Sequence, residues 1–217
     1  MQSPTASATE RAKRAFDVAV AGAGLVALSP LLALVALRVK RHDGGPVFYK
    51  ASRVGQGGTP FRMYKFRTMV ENADKIGGPS TSGDDPRLTP VGAWLRARKL
   101  DELPQLWNVV KGEMSLVGPR PEVPAEVEKY TAEERRLLDV RPGITDWSSL
   151  KFHDEAEILR GAADPHAAYL ERIRPGKVRL GLEYVRRRSL ATDLGILALT
   201  AATLLGGRSR LHAEEAA

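Results

Sequence analysis

The sequence contains no cysteine, which excludes disulfide bonds, thiolate zinc sites and cysteine nucleophiles. It also has no internal repeat and no long low-complexity tract, and its 217 residues suffice for one substantial domain with a hydrophobic core. Acidic residues are outnumbered, since 33 lysines and arginines face 26 aspartates and glutamates. The net charge of +7 indicates anionic partners: nucleic acid, phosphorylated small molecules or an acidic membrane surface.

Charge is absent from one long segment. The run VAVAGAGLVALSPLLALVAL, from Val18 to Leu37, passes twenty positions without a charged residue. As a helix, a run of this length can cross a bilayer core of about 30 Å. A cleaved signal peptide is the alternative, but no small-residue cleavage site follows, and Arg38 to Arg41 are mostly basic. The segment is therefore interpreted as a membrane anchor over residues 11–41, after a loose tail over residues 1–10.

A proline divides the anchor. Pro30, preceded by Ser29, lacks an N–H and predicts a break near the middle of the run, where the Ser29 hydroxyl is a candidate partner for the freed backbone. Basic residues flank the run on both sides, at 11–14 and 38–41, whereas a spanning helix usually shows a bias. A re-entrant hairpin and a simple kinked span are both open from the residues alone.

The same segment fits a dinucleotide-binding fingerprint. Gly22, Gly24 and Ala27 have G-x-G-x-x-A spacing, and Asp43 follows about twenty residues later. The helix that should follow has no polar face, and no strand–helix repeats complete a doubly wound sheet. We therefore interpret the glycines as small residues of a membrane segment.

The globular part, assigned to residues 42–207, begins with two β-rich runs, about 47–53 and 60–68, around a glycine-rich turn. This pattern predicts a β-hairpin. Basic residues along it, Lys65 among them, form either a solvated strand face or a ribbon for phosphates. Further helices are predicted at about 122–139, 154–160 and 165–188, and the apolar stretch after residue 193 predicts an interfacial helix, before a tail over 208–217. The predicted fold class is α+β and mostly helical.

Two adjacent carboxylates, Asp101 and Glu102, stand in LDELPQLWNVVKGEMSLVGPRPE. In a structural interpretation, Asp101 caps a helix over about 102–111 with Trp107 in its buried stripe, and Gly112 ends that helix. In a functional interpretation, the pair is an active site. The residues alone favour the first and leave the second open.

Four segments in order resemble the bacterial sugar transferase family, the small monotopic polyprenyl-phosphate phosphoglycosyl transferases. The segments are KRAFD, FYKASRVGQGGTPFRMYKFRTM, DPRLTPVGAWLRARKLDELPQLWNVVKGEMSLVGPRP and VRPGITDW, and the likeness runs from residue 13 to about residue 193. The resemblance implies that a nucleotide-diphosphate sugar, usually a UDP-sugar, gives its sugar 1-phosphate to polyprenyl phosphate and releases UMP. It also implies an inner-membrane location, a re-entrant anchor and a catalytic domain on the cytoplasmic side.

The resemblance also implies roles for residues. Asp101 would be the nucleophile that forms a phosphosugar-enzyme intermediate, and Glu102, together with Asp101, would bind Mg²⁺. Such a site needs positive charge where a carboxylate meets a diphosphate, and Arg96 and Arg120 are the candidate clamps. Lys65 and Arg141 match further motif positions.

The segment 146–157 departs from the common family pattern, which leaves the sugar open. His153, Asp154 and Glu155 within it are interpreted as a polar helix cap rather than a metal cluster. The expected partners are a UDP-sugar, polyprenyl phosphate and the phospholipid membrane, with a homodimer as a further option. No nucleic-acid-binding motif appears. A non-catalytic basic membrane adaptor is the alternative function.

Overall fold

The chain begins with one long helix, α1, which runs from Pro4 to Asp43. The computed structural model describes residues 4–78 and 80–206 of the chain. Residues 4–10 are thus helical, although a loose tail was expected there, and the tail expected over 208–217 lies outside the described residues. Of the part that is described, α1 is the one helix long and apolar enough to cross a membrane.

Pro30 does not interrupt α1, which corrects the expected helix–break–helix arrangement. The missing N–H of Pro30 would have donated to the carbonyl of Val26, four residues back. The Ser29 hydroxyl donates to that carbonyl instead, at 2.8 Å. The expectation that Ser29 satisfies the freed backbone group is therefore confirmed, and this substitute donor explains why the helix continues.

One face of α1 lies against the rest of the chain along most of its length. Asp17 and Ala21 are buried near its start, and Val35 and Val39 near its end. Because three to four residues make one helical turn, these positions lie on one stripe. The opposite face is apolar and open, with exposed side chains at Val20, Val26, Leu34 and Leu37.

The predicted hairpin is confirmed. Strands β1 (Phe48–Val54) and β2 (Pro60–Phe66) pair antiparallel, and a 3-10 turn over Gln56–Gly58 joins them. Side chains alternate between the two faces of a strand, and the inward face packs into the largest core cluster. A second, parallel pair joins β3 (Ser115–Val117) to β4 (Gly143–Thr145).

Short helices connect and surround these strands, so the coarse prediction of a mostly helical α+β fold holds. The stretch predicted as one helix over 122–139 is instead a four-residue helix followed by a 3-10 segment over Glu134–Asp139. The helices after α1 are α2 (Ala73–Ile76), α3 (Pro90–Ala97), α4 (Gln105–Lys111), α5 (Pro124–Val127), α6 (Trp147–Lys151), α7 (Glu155–Ile158), α8 (Pro165–Arg172), α9 (Arg174–Arg187) and α10 (Leu190–Leu204).

A buried polar network ties α1 to the C-terminal helix. Lys13 donates to Asp193 of α10 at 2.6 Å, and Tyr184 donates to the same carboxylate at 2.8 Å. Asp17 accepts from the Ser115 hydroxyl of β3 at 2.7 Å. Helices α1 and α10 are therefore both fixed to the sheet formed by β3 and β4.

Candidate active site

The acidic pair lies on a tight turn between α3 and α4. Asp101 and Glu102 belong to a 3-10 turn, Leu100–Glu102, that follows Lys99. Lys99 has φ 55°, a left-handed conformation that is uncommon for a residue with a side chain. This residue turns the chain at the end of α3, and both carboxylates then face the hairpin and α3.

Asp101 does not cap a helix, so the structural interpretation of the pair is wrong. Helix α4 begins at Gln105, and Pro104 precedes it without a side-chain cap. The offset also moves the buried stripe: Trp107 is 50% exposed, whereas Gln105 and Asn108 are fully buried. Gly112 does end the helix, with φ 89°, as predicted.

Glu102 is held between two cations. Lys65 of β2 donates to Glu102 Oε1 at 2.7 Å, and Arg120 reaches the same oxygen at 2.5 Å and Oε2 at 3.3 Å. Burial alone would raise the pKa of Glu102, but the charges of Arg120 and Lys65 outweigh it and hold that pKa well below its ordinary value. Glu102 is therefore a fixed carboxylate.

Asp101 has the opposite environment. Its residue surface is 5% exposed, and it makes no hydrogen bond or ion pair with any residue of the described chain. Burial raises the pKa of Asp101, and the neighbouring Glu102 charge adds to this, while Lys65 and Arg96 oppose it. A carboxylate with a raised pKa and no partner is a better nucleophile than an ordinary one, because its electron pairs are not engaged.

Arg96 approaches Asp101 from α3. Its Nε donates to the Thr68 hydroxyl at 2.9 Å, and its charge lowers the pKa of Asp101. The close packing needs glycine at position 92, where a Cβ would lie 1.8 Å from the Thr68 carbonyl oxygen. Sequence reasoning did not single out Thr68; its place directly after the basic end of the hairpin was the available signal.

Arg120 sits on a turn that the second sheet fixes. Gly118 donates to the Thr145 carbonyl at 3.1 Å, and Gly143 donates to the Pro119 carbonyl at 3.0 Å. Both bonds join the arginine's turn to β4, and the turn directly follows β3 in the chain. The guanidinium thus reaches Glu102 from a rigid base, and the charge of Glu102 raises the pKa of Arg120.

Arg141 lies apart from this group. Its Nε donates to the Gly112 carbonyl at 3.2 Å, and its charge acts on Arg14 of α1. The structure therefore brings together Asp101, Glu102, Lys65, Arg96 and Arg120 from the predicted residues, and places Arg141 at the end of α4.

The donor set suits a magnesium ion that shares its shell with a substrate. Within residues 4–78 and 80–206, no group of three or more carboxylates, histidines or cysteines could hold a metal. Mg²⁺ usually takes one or two carboxylates and completes its shell with water and phosphate oxygens. Glu102 Oε2 has only the 3.3 Å contact to Arg120, and Asp101 has no partner among the described residues. The two side chains thus fit such an ion.

The segment that departs from the common pattern is ordered by its own polar contacts. Asp146 caps α6 by accepting from the Ser149 N–H at 2.7 Å. His153 contacts Asp154 at 2.8 Å, and Glu155 accepts from Lys177 of α9 at 2.5 Å. The neighbouring helix α8 reaches the arginine's turn, where Tyr169 donates to Glu122.

Comparison with known proteins gives this arrangement a family. A sequence model described as bacterial sugar transferase matches residues 8–207, nearly the whole chain. The chain belongs to the bacterial sugar transferase family. The expected resemblance is thereby confirmed.

Curated relatives of this sugar transferase act in exopolysaccharide production or are named for the reaction. The chain is 41% identical over 201 residues to the exopolysaccharide production protein ExoY of Sinorhizobium fredii, covering 85% of this chain and 81% of that protein. It is 38% identical to the UDP-glucose:undecaprenyl-phosphate glucose-1-phosphate transferase of Escherichia coli, covering 91% of this chain and 41% of the relative. An undecaprenyl-phosphate N-acetylgalactosaminephosphotransferase of Aeromonas hydrophila is 36% identical, with 90% and 44% coverage.

Proposed function

We propose that this sugar transferase moves a sugar 1-phosphate from a UDP-sugar to undecaprenyl phosphate, through a covalent intermediate on Asp101. The observation that carries the proposal is the contrast within the acidic pair. Asp101 is buried, unpartnered among the described residues and raised in pKa, whereas Glu102 is fixed by Lys65 and Arg120. The names of the relatives support the two substrate classes.

In the first step, an oxygen of Asp101 attacks the phosphorus that carries the sugar. The bond from this phosphorus to the bridging oxygen of the diphosphate breaks, and the electron pair leaves with UMP. Arg96 lies beside Asp101 and Arg120 beside Glu102, where each could donate to oxygens of the reacting phosphate. No proton needs to move, because the attacking group is already a carboxylate.

In the second step, a phosphate oxygen of undecaprenyl phosphate attacks the same phosphorus. The aspartyl oxygen–phosphorus bond breaks and the carboxylate is restored, which leaves undecaprenyl-diphosphate-sugar as product. A covalent intermediate suits one soluble and one membrane-bound substrate, because each can reach Asp101 in turn.

Magnesium would be held by Asp101 and by Glu102 Oε2 together with phosphate oxygens, and it would offset the negative charge of the diphosphate. Lys65 and Arg120 keep Glu102 ionised and in one orientation for this purpose. The chain would therefore supply two carboxylates to the ion, the fixed Glu102 and the reactive Asp101.

The contacts of α1 support a position on one side of the membrane. Before the apolar run, Arg14 donates to the Val109 carbonyl at 2.6 Å; after it, Arg67 donates to Asp43. A helix that crossed a bilayer would put these two contacts on opposite sides, yet both belong to the same domain. We infer that both ends stay at the cytoplasmic face and that the open apolar face lies in lipid.

Exposed tryptophans support the same placement. Trp94 of α3 and Trp107 of α4 are 47% and 50% exposed, and both helices pack on α1. Tryptophan is enriched where apolar membrane meets headgroups. Helix α10 would add Leu194 and Leu204, which are also exposed, to this lipid-facing surface.

The deciding experiment measures UMP. Detergent-solubilised protein, Mg²⁺, undecaprenyl phosphate and a panel of UDP-sugars are incubated together, with reactions lacking the lipid as controls. We expect UMP release that continues only when the lipid is present, with at most one equivalent of UMP per enzyme in its absence. No release with any UDP-sugar would favour the alternative, a basic membrane adaptor without catalysis.

A further inference from the structure

Arg53 is a cation that the hairpin turns inward without giving it an acidic partner. In the antiparallel register Arg53 stands opposite Phe61, and Ala51 stands opposite Met63. Side chains two residues apart on a strand share a face. Ala51, Phe61 and Met63 are all buried in the main core cluster, so that Arg53 lies on the core side of the hairpin.

Lys65 occupies the other end of the same face. It lies two residues beyond Met63 on β2 and contacts Glu102. The inward face of the hairpin therefore carries two cations with apolar residues between them. One of them, Lys65, is neutralised by the acidic pair.

The guanidinium of Arg53 has no such partner. Its one hydrogen bond is to the carbonyl of the preceding residue, Ser52, at 2.9 Å, and no carboxylate of the described chain pairs with it. A half-buried cation usually has an anion or a hydrogen-bonded acceptor close by. Arg53 therefore has donors left for a ligand.

The turn that carries Arg120 lies beside Arg53, because the N–H of the next residue, Val54, donates to the Glu122 carbonyl at 3.0 Å. Burial lowers the pKa of Arg53 and the adjacent charge of Arg120 lowers it further, while Glu122 partly compensates. Glu122 itself accepts from Tyr169. Arg120, which is paired with Glu102, lies two residues before Glu122 on the same turn.

The position also separates Arg53 from the C-terminal part of α1. The start of the hairpin, at Phe48 and Phe66, stacks next to the cluster that packs on Val35 and Val39 of α1. Arg53 lies five residues further along β1, about 17 Å at the rise of an extended strand. Arg53 therefore lies at the end of the hairpin away from Val35 and Val39.

From this placement we propose that Arg53 binds the phosphate of the nucleotide that leaves, and that the donor's diphosphate extends across Arg120 between Asp101 and Arg53. The inference rests on the proposed function, since it assigns a nucleoside diphosphate sugar to the same site. An arginine suits the role because its planar fork can donate two hydrogen bonds to one phosphate.

The test is binding of UMP and UDP to Arg53→Gln, Arg53→Lys and the control Arg62→Gln, in detergent with Mg²⁺. Arg62 lies on the outer face of the same hairpin and is exposed. We expect the dissociation constants of UMP and UDP to rise at least tenfold in Arg53→Gln, since both ligands carry the leaving phosphate. The dissociation constants of Arg53→Lys should lie between those of Arg53→Gln and those of the parent. Those of Arg62→Gln should equal the parent's.

Steady-state kinetics distinguishes the two phosphate sources. The KM for the UDP-sugar should rise in Arg53→Gln while the KM for undecaprenyl phosphate stays the same. The proposal would be overturned if only the KM for undecaprenyl phosphate rose in Arg53→Gln, or if Arg53→Gln bound nucleotide as well as Arg62→Gln does. Loss of fold in both Arg53 variants would also overturn it. If the parent itself neither binds UMP nor releases it from any UDP-sugar, the proposed function fails instead.

Discussion

At the scale of single residues, neighbouring carboxylates are separated by what contacts them. Glu102 is engaged by Lys65 and Arg120, and its pKa falls; Asp101 has burial without a partner among the described residues, and its pKa rises. Pairs of titratable groups whose pKa values are driven apart are a recurrent sign of divided chemical roles. This difference supports the proposed roles of Asp101 as nucleophile and Glu102 as fixed ligand.

Asp101→Asn tests the nucleophile. We expect turnover to fall by about 10⁴-fold or more, as for other enzymes that lose a nucleophile. The folded pKa of Asp101 is raised, so its ionised form opposes folding at neutral pH, and asparagine removes that cost. The thermal midpoint in detergent should therefore rise or stay level while UMP release is lost. Turnover near the parent rate would assign the nucleophile to another residue.

The acid limb of the pH–rate profile tests the environment of Asp101. The residue must be ionised to attack, so kcat/KM falls as the pH drops through its pKa, which lies above the ordinary value near 3.9. Arg96 lowers this pKa; Arg96→Gln should move the limb to higher pH. Arg98→Gln is the matched control, since Arg98 is exposed and stacks on Trp94. Equal shifts in both variants would remove Arg96 from the site.

Glu102→Gln tests the fixed ligand. The amide keeps the shape of the carboxylate but leaves Lys65 and Arg120 without their counter-charge, at a cost of about 1–3 kcal/mol in stability. The Mg²⁺ concentration for half-maximal UMP release should rise at least tenfold. An unchanged magnesium response, measured at a temperature where the variant is folded, would mean that Glu102 does not bind the ion.

At the scale of elements, features that depend on neighbouring residues could be predicted from the sequence. The exact start of a helix, and the replacement of a backbone donor by a side chain, could not. The hairpin and the Gly112 helix end depend on neighbouring residues, and both were predicted. The start of α4 was placed too early, because Pro104 and a 3-10 turn shift the helix by three residues. That shift exposed Trp107 and released Asp101 from a capping role.

The continuity of α1 was missed for a similar reason. A proline predicts the loss of one backbone hydrogen bond. Whether the Ser29 hydroxyl replaces that bond depends on the side-chain rotamer of Ser29, which cannot be read from the sequence. In the candidate site, charge and motif identified Lys65, Arg96 and Arg120, but the inward direction of Arg53 needed the strand register. Register is set by the hydrophobic pattern and the turn geometry together, and a slip of one residue would turn Arg53 to the outer face.

A double-mutant cycle at Ser29 and Pro30 tests the substitute donor. Ser29→Ala should lower stability by about 0.5–1.5 kcal/mol, because the Val26 carbonyl loses its hydrogen bond. Adding Pro30→Leu restores a backbone N–H for that carbonyl, so the loss should largely disappear in the double variant. Thermal unfolding in detergent provides the four values. Additive effects would show that the Ser29 hydroxyl does not replace the missing N–H of Pro30.

At the scale of the whole molecule, the two apolar helices and the site form one unit. Helix α1 contacts the domain at both ends, and the Lys13–Asp193 pair fixes α10 to it. In the proposed reaction a soluble donor and a lipid acceptor must both reach Asp101, and an anchor laid along the domain would hold that residue at a constant depth. The orientation in the membrane is therefore part of the proposed mechanism.

Single cysteines can test this orientation, because the chain has none of its own. Ala12 and Ser52 are exposed, one before the apolar run and one in the hairpin. If both ends stay at the cytoplasmic face, Ala12→Cys and Ser52→Cys should resist a membrane-impermeant maleimide in intact cells and react in inverted vesicles. Val26→Cys, on the open apolar face, should be protected in both and react after detergent is added. Labelling of Ala12→Cys in intact cells, with Ser52→Cys still protected, would show that α1 crosses the bilayer and that its contacts with the domain do not persist in the membrane.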